Sequence, residues 1–541
     1  GGGGPSAQGS QGRRSGAGGD AQPPPPPRVK LLLLMSETEP PTIQPNLLVQ
    51  LVTDCILAVV ASLYRLLLEA EGAPAAPDGS GDATSGGGAL PAQERCRALL
   101  TTSWGSLMAA LCSLLHGATD ELYLQSALRC LQTLIYCCAR LDVESATKSC
   151  LQQLARYALP SHGHEPDADL TRPGGSGVGG LTTKNVLCFR AMLWLCHNHG
   201  GLLGKMGWSV TLRALTSADR ILKRADKNPG GAETVNLRNS LDAIFELTSL
   251  LPVGALGDVI SAMHDIMKVT NDTEEGSILL KRLVELCEYN TGRLLGVWQA
   301  VLDLVIDVCG SDERDVLRGE GAGALCKILK SALQKDALVM QGNKDVGQAQ
   351  AQLLRHLEGL LRVPHEDTRR RICEGLHDIL QNSGHDLHSA AWGTVIHLAA
   401  TAARLELERA GHGFVHAKIQ DPTVPDGRAD EAPLPHMPGA DVRETSQVLP
   451  TVFELLRLVV QDFLEYVPLG SVPLLSASIG AFARYNGLGV NNSLTAVSHL
   501  WQVADVLAKT HCGQCEGTRF EELWVQIFTH LRVLAVDPRP E

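Results

Sequence analysis

The sequence predicts an all-α fold, an α-solenoid built from repeated helical pairs, and three observations lead to that prediction. Aromatic residues make up only 4% of the 541 residues, while Leu and Ala dominate the patterned segments and alternating β-branched runs are scarce. Apolar residues recur at helical spacing in short segments along most of the chain. These segments come in pairs separated by turn residues, which is typical of helical repeats.

The segment 293–333 shows the repeated pair most clearly. Its first half carries apolar residues at i, i+4 and i+7 spacing, namely Leu294, Trp298, Val301, Val305 and Val308. Its second half repeats the pattern with Leu317, Gly321, Ala324, Leu325 and Ile328. Both patterns place the apolar residues on one face of a helix.

Turn residues predict where the helices end and restart. Gly310 is expected to take the left-handed conformation that ends helices, and Ser311 or Asp312 is expected to cap the next helix. Asp120 is expected to cap a helix in the same way. Each helix offers roughly five apolar side chains worth about 1.5–3 kcal/mol apiece when buried, whereas ordering one backbone residue costs about 1–2 kcal/mol. Such a pair is therefore expected to be stable only when it stacks against similar pairs.

The tryptophans give an approximate repeat length. Five of them are spread at comparable intervals, at Trp104, Trp208, Trp298, Trp392 and Trp501. HEAT and armadillo repeats run about 40–47 residues, so these intervals approximate two repeats plus insertions, although one tryptophan per two units is also compatible with chance. The predicted fold is a solenoid of HEAT- or armadillo-like helical repeats with disordered linkers.

Composition divides the chain into helical blocks and linkers. The linkers are rich in Gly, Pro and polar residues and bury too little apolar surface to fold. The predicted organisation is a disordered Gly/Pro-rich segment at 1–45, helical repeats at 46–159, a flexible linker at 160–183, helical repeats at 184–410, a disordered insertion at 411–441 and helical repeats at 442–541. The sequence starts with Gly and stops where another helix is expected, so we interpret it as an internal fragment of a longer protein.

The segment 47–68 is apolar and about long enough to cross a bilayer. Asp54 lies inside it, and a central Asp costs roughly 2.5–3.5 kcal/mol on insertion scales. Gln50 and Arg65 add to that cost. The segment is therefore predicted to be a buried solenoid helix, with a transmembrane span as the alternative.

The charge balance disfavours nucleic acid as a partner. The formal net charge is −12, and an acidic chain binds nucleic acid only through a local basic face. The densest basic run is Arg369-Arg370-Arg371, which follows a predicted turn. We interpret this run as a solvated face of a repeat, with a contact to a phosphate or an acidic partner as the alternative.

The 15 cysteines predict a cytoplasmic chain with reduced thiols. They are scattered through apolar helical positions and show no disulfide framework spacing. Cys512 and Cys515 form the one C-x-x-C motif, but a structural zinc site needs four ligands and no second pair follows. Neither a zinc site nor a redox pair is predicted there.

Two further motifs are interpreted as structural. Gly175, Gly177 and Gly180 match a dinucleotide fingerprint, but a Pro/Gly/Ser-rich run precedes them where that fingerprint needs a strand. His197-Asn198-His199 is predicted to be a helix end with packing and capping roles, because no second pair of metal ligands is evident nearby.

Catalytic motifs are absent from the sequence. It contains no phosphate-binding GK[ST] loop, no G-x-S-x-G motif and no H-E-x-x-H motif. Adjacent carboxylates such as Glu274 and Glu275 lie at predicted helix starts, where the helix dipole accounts for them. We predict no catalytic, cofactor-binding or metal-binding residues, no cofactor and no enzymatic activity.

Several blocks of the sequence resemble a known family. The block 185–190, followed by His197, Gly200 and Trp208, resembles one shared by the large Golgi Arf guanine-nucleotide exchange factors and the related Mon-two family. Later blocks resemble the Mon-two family more specifically, namely Trp298 with 321–325, 383–387 before Trp392, 458–464, 492–495 with Trp501, and Leu523-Trp524 with 537–540. Their order is kept over roughly residues 95–541, and Glu320 departs from the pattern because the family usually has an aromatic residue there.

The resemblance implies a trafficking protein that lacks an exchange-factor catalytic domain. It implies a scaffold associated peripherally with trans-Golgi network and endosome membranes. The expected partners are a Dopey-type protein, an aminophospholipid flippase and an Arf-like GTPase. No partner-binding residue of the family can be assigned to a position in this sequence.

Two other functions remain open at the level of sequence. The chain could be the regulatory, non-catalytic region of a large Arf exchange factor, in which case a catalytic helical domain would precede it. It could also be a nuclear transport or phosphatase-scaffold solenoid.

Overall fold

A computed structural model describes residues 45–72, 92–159, 181–225, 232–334, 345–412, 446–510 and 517–535. Within these ranges the chain forms α-helices and short 3-10 helices, so the predicted all-α fold is confirmed. The chain divides into two units, residues 1–59 and residues 60–541. Most of the predicted linkers, and the motifs at Gly175–Gly180, Cys512 and Cys515, lie outside the described residues, while the end of the predicted linker 160–183 is wrong because Thr182 caps a helix that begins at Thr183.

The α-helices are numbered in chain order. They are α1 Pro45–Gly72, α2 Ala92–Gly117, α3 Glu121–Arg140, α4 Glu144–Ala158, α5 Thr183–His199, α6 Gly204–Ala225, α7 Ala232–Leu247, α8 Val253–Val269, α9 Thr273–Tyr289, α10 Trp298–Cys309, α11 Asp315–Ala332, α12 Val346–Arg355, α13 Leu357–Leu361, α14 Glu366–Ser383, α15 Ser389–Arg409, α16 Val448–Asp462, α17 Val472–Arg484, α18 Val490–Thr510 and α19 Gly517–Ala535.

The helices of the second unit stack in two layers. In layer A, each helix packs against the next in the series α3, α5, α7, α9, α11, α14, α16 and α18. In layer B, α2, α4, α6, α8 and α10 pack in succession, and α12, α15, α17 and α19 do the same. Helices of one layer alternate along the chain with helices of the other, which is the arrangement of a helical-repeat solenoid.

Capping side chains fix several of the helix starts. The Asp120 side chain accepts a hydrogen bond from the Tyr123 backbone N–H at 2.9 Å, as its position before α3 predicts. Thr182 and Asn185 form a reciprocal capping box at the start of α5. Asp272 accepts from two backbone N–H groups at the start of α9.

The repeated pair at 293–333 forms as predicted, but its turn is built differently. A 3-10 helix spans Thr291–Gly296, and α10 begins only at Trp298. Gly310 has φ −88°, which is right-handed, so the predicted left-handed cap is wrong. The predicted caps Ser311 and Asp312 are also wrong, because α11 begins at Asp315 after Arg314 and no side chain caps it.

The close packing of α10 against α11 explains why position 321, in the second half of this pair, is a glycine. A Cβ built on Gly321 would lie 3.0 Å from Cγ1 of Val308. The glycine therefore lets the two helices pack closely, and it belongs to the apolar face that the sequence pattern predicts.

Four of the five spaced tryptophans lie in layer B, on α2, α6, α10 and α15. Trp208, Trp298 and Trp392 are buried. Trp501 differs, because it lies on α18 in layer A and is 57% exposed. The tryptophan spacing therefore follows layer B from Trp104 to Trp392. The last interval does not, because Trp501 lies in layer A.

The prediction of a buried helix at 47–68 is wrong for most of α1. Only 11% of its most apolar window is buried. Leu48, Val49 and Leu51 of the first unit are exposed, as are Leu66 and Leu68 of the second. By length and composition, Leu47–Ala70 and Ala92–Gly117 both qualify as candidate membrane spans, a criterion that apolar core helices and N-terminal signal sequences also meet.

Between Arg220 and Asp378, polar side chains connect neighbouring repeats, and several of these contacts join partners at a similar sequence distance. The guanidinium of Arg314, for example, donates to the backbone carbonyls of Met267 and Lys268 at the end of α8. We call such contacts cross-repeat ties. Their partners are 42–52 residues apart, as in Arg293–Leu251, His264–Asp307, Arg314–Met267, Lys330–Asp378, Arg318–Asp367 and Arg220–Asp272. This distance agrees with the repeat length of about 40–47 residues for HEAT and armadillo units.

Candidate interaction surfaces

The described residues contain no cluster of three His, Cys, Asp or Glu side chains that could hold a metal ion. Burial raises the pKa of the Cys188 and Cys196 thiols to about 12. Such thiols stay protonated at neutral pH and are poor nucleophiles and poor metal ligands. The carboxylate of Glu275 accepts from the Thr270 hydroxyl at 2.5 Å and lies in the first turn of α9, so its role there is structural.

The basic run at 369–371 is only partly a solvated face. Arg369 is 5% exposed, and its Nε–H donates to Oε1 of Glu406 on α15 at 2.6 Å. A guanidinium N–H also donates to the carbonyl of Val363 at 2.9 Å. The prediction of a solvated side chain is therefore wrong for Arg369, because its charge is already paired inside the protein. Arg371 is exposed, whereas Arg370 is half-buried and donates to the side-chain oxygen of Gln447 at 2.6 Å.

Glu406 collects donors from three successive elements. It is 2% exposed and also accepts from Arg409 and, at 3.1 Å, from the Ser446 hydroxyl. We call Arg369, Glu406, Arg409 and Ser446 the Arg369–Glu406 clamp. Next to it, the Gln447 backbone N–H donates to Oε1 of Glu366 at 2.6 Å. The clamp joins α14 and α15 to the residues that begin α16.

The His197-Asn198-His199 motif lies at the end of α5, as predicted. Asn198 donates to the Trp194 carbonyl at 2.9 Å. The His199 ring lies 4.6 Å from the Tyr136 ring and 5.3 Å from the Trp194 ring, measured between centroids. Partial burial lowers the pKa of His199. The motif therefore takes part in ring packing at the end of α5.

These rings continue into a row across three helices. Tyr64 of α1 meets Tyr136 of α3 edge-on at 5.7 Å between centroids. We call Tyr64, Tyr136, His199 and Trp194 the aromatic row. Trp194 is 48% exposed and lies at its outer end. Edge-on and tilted ring pairs at these distances are favourable.

A small cleft of about 290 Å³, lined by both apolar and charged side chains, lies between α8, α10 and the turn after α10. His264 Nε2 and Lys268 Nζ lie 2.6 and 3.3 Å from Oδ2 of Asp307. Partial burial by itself raises the pKa of the Asp307 carboxyl, but hydrogen bonds from these two side chains outweigh it, and the pKa is lowered. The charged groups of the cleft are therefore largely satisfied by one another.

Exposed apolar side chains concentrate on α1, and smaller groups of them lie on the last two described helices. On α18 they lie at helical spacing, at Val490, Leu494 and Trp501, and on α19 at Val525 and Phe528. Single exposed apolar residues are normal, but grouped ones mark surfaces that meet other molecules. Sequence periodicity could not identify them, because it predicts which faces are apolar and not which apolar faces find a neighbour.

The clamp and the aromatic row were not predicted from the sequence. Arg369 and Glu406 are 37 residues apart and Tyr136 and His199 are 63 apart, so no local spacing connects them. The only sequence signal near the row is the absence of acidic residues from α5. A repeat alignment within the chain would be needed to pair such positions in advance.

Comparison with curated proteins shows relatives along most of the chain. It is 24% identical over 539 residues to the Protein MON2 homolog of Drosophila melanogaster, which covers 82% of this chain and 29% of that protein. It is 23% identical to the human Protein MON2 homolog, with 94% of this chain and 33% of that protein covered. The Monensin-resistant homolog 2 of Caenorhabditis elegans is 22% identical over 82% of this chain. The chain thus spans about a third of the length of the curated relatives it matches.

Solved structures provide only weak likenesses. A chain from a study of the interaction between cadherin and beta-catenin aligns with 94% of this chain and 92% of its own length, at 11% identity and a TM-score of 0.24. A Kap121p mutant aligns with 84% of this chain and 48% of its own length, at 11% identity and a TM-score of 0.21. The fold class therefore rests on the two helical layers described above and not on these scores.

No protein-family model matches the chain. The curated matches nevertheless share one name across fly, human and frog, and each covers more than four fifths of the sequence. They agree with the resemblance of the blocks between residues 95 and 541 and with the helical-repeat fold. The chain is therefore similar to the MON2 homologs over most of its length.

Proposed function

We propose that the chain is part of a non-enzymatic scaffold in vesicle traffic between the Golgi and endosomes. The observation that carries this proposal is the similarity to MON2 homologs over 82–94% of the chain. Stacked helical pairs present long surfaces on which several proteins can bind at once. The protein binds peripherally to trans-Golgi network and endosome membranes from the cytoplasmic side.

The proposed partners are a Dopey-type protein, an aminophospholipid flippase and an Arf-like GTPase. The exposed apolar groups on α18 and α19 offer a surface that a protein partner can cover. Each partner is expected to use a different stretch of the stack.

The test is to tag the natural full-length protein in its own cells and to follow it by fluorescence and by affinity purification. We expect the tag to coincide with trans-Golgi and endosome markers, and a Dopey-type protein to co-purify. A tagged helical-repeat protein of another compartment is the matched control. Concentration at nuclear pores, without Golgi signal, would contradict the proposal and favour a nuclear transport solenoid.

An exchange assay separates the scaffold from the regulatory region of an Arf exchange factor. The natural full-length protein is incubated with Arf and Arf-like GTPases loaded with a fluorescent guanine nucleotide. We expect nucleotide release at the intrinsic rate, with a known exchange factor as positive control. Accelerated release would show that the whole protein is a GTPase activator.

A further inference from the structure

One side of α19 packs against α17. Leu523 and Ile527 are 5% and 1% exposed, and a Cβ built on Gly480 of α17 would lie 3.0 Å from Nδ1 of His530. Successive residues of an α-helix are about 100° apart around its axis. Leu523, Ile527 and His530 therefore share the side of α19 that contacts the stack.

The opposite side of α19 carries four exposed residues at a regular spacing. They follow one another at intervals of four, three and four residues, namely Glu521, Val525, Phe528 and Arg532. Val525 is 65% exposed and Phe528 is 51% exposed. The same angular step places all four on one side of the helix, away from α17. We call these four residues the α19 stripe.

The centre of the stripe is apolar and held in place. The Phe528 ring stacks on the Trp524 ring of the preceding turn, with centroids 5.3 Å apart. Half of the Phe528 side chain remains open to solvent in spite of this contact. A partner can therefore cover an aromatic side chain that is already ordered, which lowers the entropic cost of binding.

The two ends of the stripe carry opposite charges. Glu521 and Arg532 are exposed, and neither forms an ion pair with any residue that the structure describes. They lie about 16 Å apart along the helix axis, at about 1.5 Å per residue, so they cannot pair with each other. Both charges are therefore available to a partner.

The spacing of the stripe is the same when it is read from either end. If a second α19 lies antiparallel against the first with the stripes facing, Glu521 of one copy lies opposite Arg532 of the other. Val525 of one copy then lies opposite Phe528 of the other. A two-fold axis thus produces two ion pairs on either side of an apolar centre. In a parallel pair Glu521 would face Glu521 of the other copy, and like charges repel.

We propose that the α19 stripe is a docking surface for a second copy of this chain, which binds as an antiparallel two-fold helix pair. Charge complementarity specifies that occupant, because the stripe itself supplies both members of each ion pair at the required spacing. A lipid surface is a poorer match, since the Glu521 carboxylate would be brought against anionic headgroups. The dimer goes beyond the proposed function in vesicle traffic and does not depend on it.

Analytical ultracentrifugation of the full chain over a range of concentrations measures the self-association. One helix face is smaller than a standard protein interface, so the expected dimer is weak and reversible. We expect its dissociation constant to rise as salt is added, because salt screens the two ion pairs. A chain that stays monomeric at every concentration would overturn the proposal.

Exchanging the two charges tests whether the occupant is a second copy. Glu521→Arg and Arg532→Glu are each expected to weaken dimerisation about tenfold or more, because each places like charges opposite one another at both ends of the pair. The double variant Glu521→Arg/Arg532→Glu is expected to restore the original dissociation constant. An equimolar mixture of the two single variants is expected to form a heterodimer, since each then faces the opposite charge.

Further variants test the apolar centre and provide matched controls. Phe528→Ser is expected to weaken dimerisation about tenfold or more. Val316→Ser removes an exposed apolar side chain from α11, and Lys327→Glu reverses an exposed cation on the same helix. Both of these controls are expected to leave the dissociation constant unchanged. Circular dichroism checks that every variant is folded.

Two further outcomes would overturn the proposal. Equal losses in Phe528→Ser and Val316→Ser would show that the stripe is not the interface. A double charge variant that stays as weak as the single variants would show that the stripe binds a different surface, such as another helix or an unrelated protein. Loss of dimerisation in a protein that still reaches the Golgi would leave the trafficking proposal intact.

Discussion

At Glu406, one buried carboxylate accepts from two arginines and a serine that belong to three consecutive elements. Burying a charge is costly unless it is paired and hydrogen-bonded. A complete buried ion pair is not strongly stabilising in itself, but removing one partner leaves the other charge unpaired and is strongly destabilising. Correct packing of α14, α15 and the start of α16 therefore requires the complete clamp.

We predict that Glu406→Ala destabilises the protein by about 3–5 kcal/mol, because Arg369 would be left buried without its carboxylate. Thermal unfolding followed by circular dichroism measures the effect. Arg371→Ala is the control, since its exposed guanidinium pairs with Glu374 and such exposed pairs contribute about 0–1 kcal/mol. Equal unfolding temperatures for the two variants would show that the clamp does not contribute to the free energy of unfolding.

His499 links stability to pH. It is buried on α18 beside Phe453, and burial lowers its pKa, an effect that a hydrogen bond with Gln502 partly opposes. The unfolded chain then binds a proton at higher pH than the folded one, with an ordinary histidine pKa of about 6.5. Folding is therefore favoured above that pH, and the advantage is lost as pH falls below it.

We expect the unfolding temperature to fall between pH 7 and pH 5, and to fall less in His499→Gln than in the unchanged chain. His199 and His530 have lowered pKa values for the same reason and contribute in the same direction. A steeper decline in the His499 variant would contradict the sign of the effect.

At the scale of single helices, the sequence predicted most of the structure. Apolar spacing identified the helical pairs. Asp120 was predicted as a cap because a short side chain with a hydrogen-bond acceptor, placed directly before an apolar run, favours the N-cap position. The turn after α10 was misread, since Arg318 satisfies the carbonyls of Ser311 and Asp312 from within α11. Because Arg318 lies outside the turn, the sequence of the turn itself does not indicate how its carbonyl groups are hydrogen-bonded.

Close helix packing makes Gly375 a sensitive position. A Cβ on this residue of α14 would lie 2.1 Å from the sulfur and 2.6 Å from the Cβ of Cys326 on α11. Rotating the sulfur away cannot relieve the second contact. We predict that Gly375→Ala forces the two helices apart and destabilises the chain by about 1–3 kcal/mol.

Gly319→Ala is the matched control for this prediction. Gly319 lies in α11, and an added Cβ would meet no atom within 4 Å. The alanine is expected to stabilise the helix by about 0.5–1 kcal/mol, because glycine is disfavoured inside helices. Differential scanning calorimetry of both variants should therefore give shifts of opposite sign, and shifts of the same sign would refute the packing argument.

Over the whole chain, stability is expected to be local. Each helix packs mainly against its neighbours in the same layer and in the adjoining one, and repeat arrays of this kind behave as sums of nearest-neighbour interactions. The sequence could predict this layering because the apolar pattern repeats. It could not predict the exposure of α1, since that depends on which neighbours are present.

Hydrogen exchange tests this locality. We expect Glu406→Ala to speed amide exchange in α14, α15 and α16 and to leave the rates in α3, α4 and α5 unchanged. The exposed variant Arg371→Ala is expected to change neither region. Faster exchange in both regions after Glu406→Ala would show that the array unfolds as one cooperative unit.

The cross-repeat ties have a mechanical consequence. They join partners 42–52 residues apart, so a pulling force applied along the stack loads them one after another. When a tie breaks, the repeat behind it is released, which corresponds to about 140–190 Å of extended chain. Stretching a single molecule should therefore give a series of force peaks with increments in that range. A helical-repeat protein with this property lengthens stepwise under tension instead of unfolding in a single step.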